Sequence, residues 1–163
     1  MLDAGNMGVN ALRAMRDAGW YPGRILEEAD SWYSELCGHG YPENKKALEL
    51  LKELGGLIIN PVDNKEAYFE NCEPLNVDPF SADAMGVDFF SEMSRIIQEG
   101  CFPIGEWLSY SSVFLTTSGR MMAGGLGYVW LLGNSPEEGV QQAIMADRDL
   151  ICIHAGEGLS PWP

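Results

Sequence analysis

The two histidines and four cysteines of this chain are the residue types most often used in catalysis or metal binding. Cys37 and His39 stand two positions apart and could bring a thiol and an imidazole together at the end of a helix. A metal site needs three or four ligands, and the neighbouring sequence offers no second pair, so a structural role is favoured. His154 lies in a glycine-rich segment and is expected to be an exposed residue rather than a general base.

The remaining motifs do not specify a reaction either. Gly124-Gly125-Leu126-Gly127 resembles a phosphate-binding loop in composition, but a strand rather than a helix follows it, and the nearest cation is Arg120. A turn or bulge between strands is the simpler interpretation. The chain has neither the Gly-x-Ser-x-Gly of many hydrolases nor the Asp-x-Asp-x-Asp-Gly of a calcium loop. We therefore predict a protein that is not an enzyme and has no metal and no cofactor.

Cysteine usage and the apolar segments predict the cellular compartment. Cys37, Cys72, Cys101 and Cys152 are widely spaced and form no Cys-x-x-Cys pair, which is typical of reduced thiols. The beginning of the chain is interrupted by charged residues and resembles neither a signal peptide nor an anchor. The longest apolar stretch, residues 121–132, is too short to cross a bilayer. We expect a cytoplasmic protein.

Charge is the main departure from an average composition. The chain has 10 lysines and arginines and 24 aspartates and glutamates, for a net charge of −14. Nucleic-acid binding is disfavoured because contacts to phosphate require basic side chains, and an anionic membrane surface is disfavoured for the same reason. The excess is concentrated in residues 63–106, where ten carboxylates against Lys65 and Arg95 give −8. Either solubility or electrostatic steering towards a basic partner explains this charge.

Helical patterns occur at both ends of the chain and in its middle. Three segments with apolar residues at helical spacing open the sequence and end at Gly19, at Gly38 or Gly40, and at Gly55. Residues 89–97 restore the same pattern. A last helix is predicted from the capping sequence Ser135-Pro136-Glu137-Glu138, and its Gly139 should weaken it by about 1 kcal/mol relative to alanine.

Runs of β-branched and aromatic residues predict strands at residues 57–59, 66–69 and 128–132. The segment 71–86 is polar, acidic and interrupted by proline, and it is interpreted as a loop with at most one short strand at residues 77–80. Ser118-Gly119 supplies the positive φ that a tight turn requires, which predicts a hairpin over residues 113–123.

The order of these elements shows no strict alternation of strands and helices. It therefore predicts an α+β fold with a mainly antiparallel central sheet and helices packed on it. We expect the meander of residues 113–132 at the centre of the sheet, helices over one face, and Val129 and Trp130 on opposite faces. At 163 residues, the chain should form a single domain, 1–163, with its core at about residues 12–150.

Four short blocks in a fixed order carry a resemblance to a known family. The blocks are Ala18-Gly19-Trp20-Tyr21-Pro22-Gly23-Arg24, Leu54-Gly55-Gly56-Leu57, Pro103-Ile104-Gly105-Glu106 and Ser118-Gly119-Arg120. Over residues 12–149 this pattern resembles the SUKH superfamily, most closely its third subgroup. The residues assigned to the structural motif are Trp20, Pro22, Gly23, Arg24, Gly55, Gly56, Pro103, Gly105 and Glu106. We expect Trp20 in the core and Arg24 tying its loop to an internal carboxylate or carbonyl.

The chain departs from the family pattern at two places. After Arg120 it has Met121 and Met122, where the family usually has a β-branched residue and an aromatic one. The final helix has Gly139, where the family tends to have alanine. Neither departure is expected to change the fold.

The resemblance implies a function that agrees with the charge. It implies an immunity protein of a bacterial polymorphic toxin system, which binds and occludes a cognate toxin domain with a basic surface, often a nuclease or a nucleic-acid deaminase. The residues expected at the toxin interface are Glu70, Glu73, Asp78, Asp83 and Asp88, with Phe80 as an aromatic anchor. The alternative is a small-molecule- or peptide-binding regulatory domain that uses the sheet face without catalysis.

If these acidic side chains serve toxin binding, they should contribute little to the stability of the fold. Replacing Glu73, Asp78 and Asp83 together by amides is expected to slow toxin association and to leave thermal stability nearly intact.

Overall fold

A seven-stranded antiparallel sheet organises the protein, and its strands lie side by side in the order in which they occur in the chain. The computed structural model describes all residues, 1–163. The strands are β1 (Ile58–Ile59), β2 (Leu75–Asn76), β3 (Cys101–Trp107), β4 (Ser111–Thr116), β5 (Met121–Gly125), β6 (Tyr128–Gly133) and β7 (Ile151–Ala155). The predicted α+β class and antiparallel sheet are confirmed.

Six α-helices pack around this sheet, after a short 3-10 helix at Ala4–Asn6. They are α1 (Val9–Asp17), α2 (Ala29–Gly38), α3 (Lys45–Leu54), α4 (Pro79–Asp83), α5 (Gly86–Ile97) and α6 (Pro136–Met145). The longest, α5, has 12 residues, and none of the helices has the length and apolar character needed to cross a membrane.

Side-chain caps explain where two of the helices begin. Asn44 Oδ1 accepts the backbone N–H of Ala47 at the start of α3, at 3.1 Å, and its Nδ2 donates to carbonyl oxygens at the end of β4. Ser135 Oγ accepts the N–H of Glu138 at the start of α6, at 3.3 Å. The N-cap predicted at Ser135 is therefore confirmed, and Asn44 also joins α3 to the sheet.

The two central strands, β4 and β5, are buried on both faces. Phe114 pairs with Met122, so Phe114 and Met121 point to opposite faces. Phe90 of α5 packs edge-to-face on Phe114, with 5.8 Å between ring centroids, whereas Gly139 of α6 lies against Met121. Helices therefore cover both faces. The expectation of one covered face is wrong, because strands that are apolar at nearly every position need cover on each side.

The predicted meander forms strands β4, β5 and β6, in the middle and on one side of the sheet. Val129 pairs with Gly124, and Trp130 pairs with Ala123. These two residues of β6 consequently lie on opposite faces, as predicted.

The segment between β1 and α5 differs most from the prediction. Residues 66–69 form turns rather than a strand, and the N–H of Tyr68 binds the carbonyl oxygen of Ala146 at 2.9 Å. The segment 71–86 does contain one short strand, β2, but it lies at Leu75–Asn76 and not at residues 77–80, where the short helix α4 begins instead. Asp78 caps this helix and Pro79 opens it, so the capping signal outweighs the β-propensity of the residues around it.

Strand β3 was not predicted because Pro103 and Gly105 normally disfavour a central strand. Pro103 is tolerated because β2 pairs with β3 only at Trp107 and Glu106, which leaves an unpaired edge at Pro103, and because the register with β4 shifts between Pro103 and Gly105. Gly105 lies where two backbones approach closely, since a Cβ there would come within 2.0 Å of the carbonyl oxygen of Asn76. The half-buried Glu106 continues the strand.

Strand β7 is not among the predicted strands, and it includes His154, which the sequence places next to a glycine-rich segment. Ile151 and Ile153 are exposed while Cys152 and His154 are half-buried. His154 pairs with Val129 of β6. The expectation that His154 is exposed is therefore wrong, because strand pairing covers one side of it.

The turn after α1 holds the opening helices together. Trp20 is 3% exposed and belongs to the core. Arg24 donates from Nη1 to the carbonyl oxygen of Glu53 at 2.6 Å and from Nη2 to that of Gly55 at 2.9 Å. These carbonyl oxygens lie at the end of α3, where helical partners are lacking. Arg24 thus ties its loop to two carbonyls.

The glycines of the first two sequence blocks differ in their roles. Gly23, beside the exposed Pro22, and Gly56 have φ values of 80° and 76°, a region that favours glycine. Gly55 has an ordinary φ, but a Cβ there would lie 2.8 Å from Cδ2 of Leu26. Gly55 is thus required by packing and not by backbone conformation.

Gly139 is also required by packing, and it is not simply a weak point of α6. A Cβ at this position would lie 2.4 Å from Cβ of Met121 and 2.5 Å from its Sδ. The two departures from the family pattern are therefore in contact with each other. The closest atom is Cβ of Met121, which every residue except glycine has, so Gly139 is required mainly by the close approach of α6 to β5 and not by the length of the Met121 side chain.

Glu99, which precedes β3, binds the turn of the β4–β5 hairpin. Its carboxylate accepts the N–H of Ser118 at 3.1 Å and pairs with the guanidinium of Arg120. Burial by itself would raise the pKa of Glu99, but hydrogen bonds from the hairpin turn and from Arg120 outweigh it and hold the pKa at about 2. The charged form of Glu99 therefore stabilises the folded hairpin.

Gly139→Ala is expected to destabilise the protein by about 1–3 kcal/mol, because overpacking against Met121 outweighs the better helix propensity of alanine. Met121→Ala removes Sδ and Cγ, two of the three atoms nearest to the added Cβ, and is therefore expected to cost less stability in the Gly139→Ala background than in the wild type. Urea unfolding of the two single variants and the double variant measures the coupling. A Gly139→Ala variant that is more stable than the wild type would contradict the packing account.

Glu99→Gln tests the contribution of the hairpin carboxylate as a function of pH. Since the pKa of Glu99 is lowered from 4.5 to about 2 on folding, its contribution is present above about pH 4.5 and is lost as the pH falls towards 2. The substitution should cost about 1–2 kcal/mol at neutral pH, less than the full shift implies because solvent reaches the pair. Chemical unfolding at neutral and acidic pH should show this loss disappearing, and an equal loss at both pH values would refute it.

Candidate functional site

The loop that opens the acidic segment 63–106 is anchored to the rest of the fold by polar and aromatic residues. Asn64 Nδ2 donates to the carbonyl oxygen of Met145 at 2.9 Å, and Asn71 Nδ2 donates to that of Ala143 at 2.7 Å. Phe69 packs edge-to-face on Trp107, with centroids 5.8 Å apart. These contacts fix the loop between β1 and β2 against the end of α6 and against β3.

Asp78 has a structural role at the start of α4. Its Oδ1 accepts the N–H of Phe80 at 3.0 Å, and its Oδ2 accepts the hydroxyl of Ser81 at 2.9 Å. Phe80, the expected aromatic anchor, is half-buried and packs edge-to-face on Trp32 of α2, with centroids 6.1 Å apart. Both residues are thus engaged within the chain.

Asp83 joins α4 to the end of α2. Its Oδ1 accepts the hydroxyl of Tyr41 at 2.5 Å, and its Oδ2 lies 3.0 Å from Nδ1 of His39. Burial, together with the neighbouring Asp83 carboxylate, raises the pKa of Tyr41. His39 is therefore part of an interhelical contact. The pKa of Cys37 is raised by burial, the opposite of what an activated thiol requires.

The other three expected interface residues keep their carboxylates available. Glu70 and Asp88 are exposed and have no side-chain hydrogen bond, and Glu73 accepts only the hydroxyl of Ser109, at 2.8 Å. None of the three forms an ion pair with a basic residue of the chain. The structure thus separates the six residues into three that support the fold, two exposed carboxylates at Glu70 and Asp88, and the half-buried Glu73, which accepts one hydrogen bond.

Glu70 and Glu73 line a cleft of about 450 Å³ at the end of β3, which we call the Tyr110 cleft. Its other lining residues are Phe69, Cys72, Leu108, Tyr110, Leu150, Trp162 and Pro163. Sequence reasoning missed this cleft because its walls come from segments far apart in the chain and follow no helix or strand period. An exposed aromatic residue such as Tyr110 carries no local pattern that could reveal it.

The structure offers no comparable arrangement for metal binding. No group of three or more histidine, cysteine, aspartate or glutamate side chains converges on one point. The thiol of Cys101 is buried, and burial raises its pKa to about 11.

The structural roles of Asp78 and Asp83 change the expected outcome of neutralising them. Asp78→Ala should cost about 1 kcal/mol through loss of the N-cap, and Asp83→Ala should lose the contacts to Tyr41 and His39. Asp88→Asn is the control, because an exposed side chain without a partner typically contributes within about ±0.5 kcal/mol. Urea unfolding measures all three, and equal midpoints would contradict the structural assignment. Because of these contacts, we expect the triple amide variant of Glu73, Asp78 and Asp83 to lose stability rather than to keep it.

Comparison with known protein families gives one match, to the model described as SUKH-3 immunity protein, over residues 7–145. Neither the curated proteins nor the solved structures give a significant match to the chain. The matched region runs from the start of α1 to the end of α6 and includes all four sequence blocks. Because the match covers most of its length, the chain belongs to the SUKH-3 immunity protein family.

Proposed function

We propose that this protein neutralises a toxin domain with a basic surface by binding it on the side formed by residues 63–106. The observation that carries the proposal is the set of unpaired carboxylates of Glu70, Glu73 and Asp88 within a segment of net charge −8. The family supports a toxin as the partner. The inhibition is stoichiometric occlusion in the cytoplasm, without a chemical reaction.

A nuclease or a nucleic-acid deaminase is the toxin class that fits this surface. Such an enzyme presents basic residues to hold phosphate groups. An acidic protein that occupies the same groove excludes the substrate and is attracted over a distance, which raises the association rate above the neutral value of about 10⁵–10⁶ M⁻¹s⁻¹.

The three free carboxylates lie near opposite ends of β3. Glu73 lies beside Ser109, just beyond the end of β3, and Asp88 follows Val87, which lies beside Gly40 near the beginning of β3. A strand of seven residues spans about 20 Å. A standard interface of roughly 800 Å² per partner is about 30 Å across, so a single toxin domain can reach both ends of the strand.

The alternative function required a free sheet face for a small molecule or a peptide. Every residue of β4 and β5 is buried, and helices lie on both sides of them. The centre of the sheet therefore has no open face for such a ligand, and the toxin-binding proposal is the better supported of the two.

The test compares two triple variants that change the net charge equally. Glu70→Gln, Glu73→Gln and Asp88→Asn alter the proposed interface, whereas Asp17→Asn, Glu27→Gln and Glu157→Gln alter exposed carboxylates outside residues 63–106. The binding partner is the inactivated C-terminal domain of a secreted toxin encoded beside the gene for this chain. Stopped-flow association is measured from low to high salt.

The interface variant should associate at least tenfold more slowly at low salt and lose most of its salt dependence, because steering charges are screened over about 8 Å at physiological ionic strength. The control should slow much less. Equal association rates for the two triple variants would show that net charge alone, and not its position, sets the rate. An unchanged rate for the interface variant would place the toxin-binding surface outside residues 63–106.

A further inference from the structure

We propose that the Tyr110 cleft receives an apolar side chain of the toxin that is flanked by a lysine or an arginine. This inference rests on the proposed function and assigns the anchor point within the acidic side. The juxtaposition that supports it is an apolar floor, two exposed aromatic walls and two unpaired carboxylates at the end of β3.

The floor and walls of the cleft are apolar. Leu108 and Leu150 are 9% and 7% exposed and form the floor. Tyr110 and Trp162 are 42% and 51% exposed and form walls. The volume of about 450 Å³ lies within the range of sites that enclose small ligands, about 300–1,000 Å³. Aromatic residues around a concave apolar site are typical of positions that dominate binding energy.

The negative charge of the cleft favours a partner that carries a basic residue. Glu70 and Glu73 are lining residues, and no lysine, arginine or histidine lines the cleft. A purely apolar occupant would remove water from these carboxylates without replacing its hydrogen bonds, which is unfavourable. A basic residue next to the apolar side chain supplies charge-assisted hydrogen bonds instead. The complementary partner is therefore apolar and cationic at adjacent positions.

The walls of the cleft are held in place before any partner binds. Trp130 Nε1 donates to the carbonyl oxygen of Trp162 at 2.7 Å, and the two rings meet edge-to-face with centroids 6.0 Å apart. Leu108 and Ser109 both have φ of 55°, an unfavourable conformation for residues with side chains, and this turn leads directly into Tyr110. A preformed cleft loses little conformational entropy on binding.

The experiment uses the same toxin domain and separates anchoring from steering. Tyr110→Ala should raise the dissociation rate at least tenfold and change the association rate by less than threefold, because a buried anchor acts after encounter. Tyr110→Phe should keep near-normal dissociation, since the apolar wall is retained. Tyr21→Ala, at a 57% exposed tyrosine after α1, is the control and should dissociate like the wild type. Circular dichroism checks that every variant is folded.

The possible outcomes distinguish a failure of the cleft proposal from a failure of the proposed function. If the wild type binds the toxin domain and Tyr110→Ala dissociates like Tyr21→Ala, the cleft is not the anchor and the proposed function stands. If the wild type does not bind, both proposals fail for this toxin. Phenethylamine serves as a free aromatic cation that tests for a small-ligand site. If it shifts the NMR signals of Tyr110 while Tyr110→Ala leaves toxin binding unchanged, the cleft is a small-ligand site and the inference is overturned.

Discussion

The eleven residues of β4 and β5 are all buried, and most of the remaining structure follows from the need to cover both of their faces. α5 supplies Phe90 and its neighbours on one face, and α6 supplies the other. α3 is fixed to the end of β4 through Asn44. The acidic segment 63–106 contains α5 and most of β3, so its apolar residues belong to the core while most of its carboxylates remain at the surface.

The parts of the fold that could be predicted from sequence are those with a strong local signal. Alternation, turn residues and caps identified the hairpin, β6 and α6, because each signal is contained within about ten residues. Strand β3 could not be predicted in this way, since Pro103 is tolerated through two tertiary features, the shortness of β2 and a shift of register in the pairing with β4. Likewise, α4 depends on its cap at Asp78, which stands within a segment that is otherwise polar and irregular.

For the candidate site, too, the charge could be predicted from the sequence, whereas the contacts of each carboxylate could not. The excess of negative charge in residues 63–106 is visible in the sequence, but the use of each carboxylate is not. Asp78 and Asp83 bind groups within the chain, whereas Glu70 has no such partner. Which carboxylate is free depends on tertiary neighbours such as Tyr41, 42 residues away from Asp83. Counting charges therefore predicts the sign of a surface and overstates the number of side chains available to a partner.

The contact between Met121 and Gly139 has a consequence for how such sequences are compared. A description that scores every position independently counts two deviations from the family pattern, one on a strand and one on a helix. In three dimensions the two positions face each other across one interface, where α6 approaches β5 so closely that there is no room for a side chain at Gly139 against Met121. Sequences of this kind are better compared by pairs of facing positions.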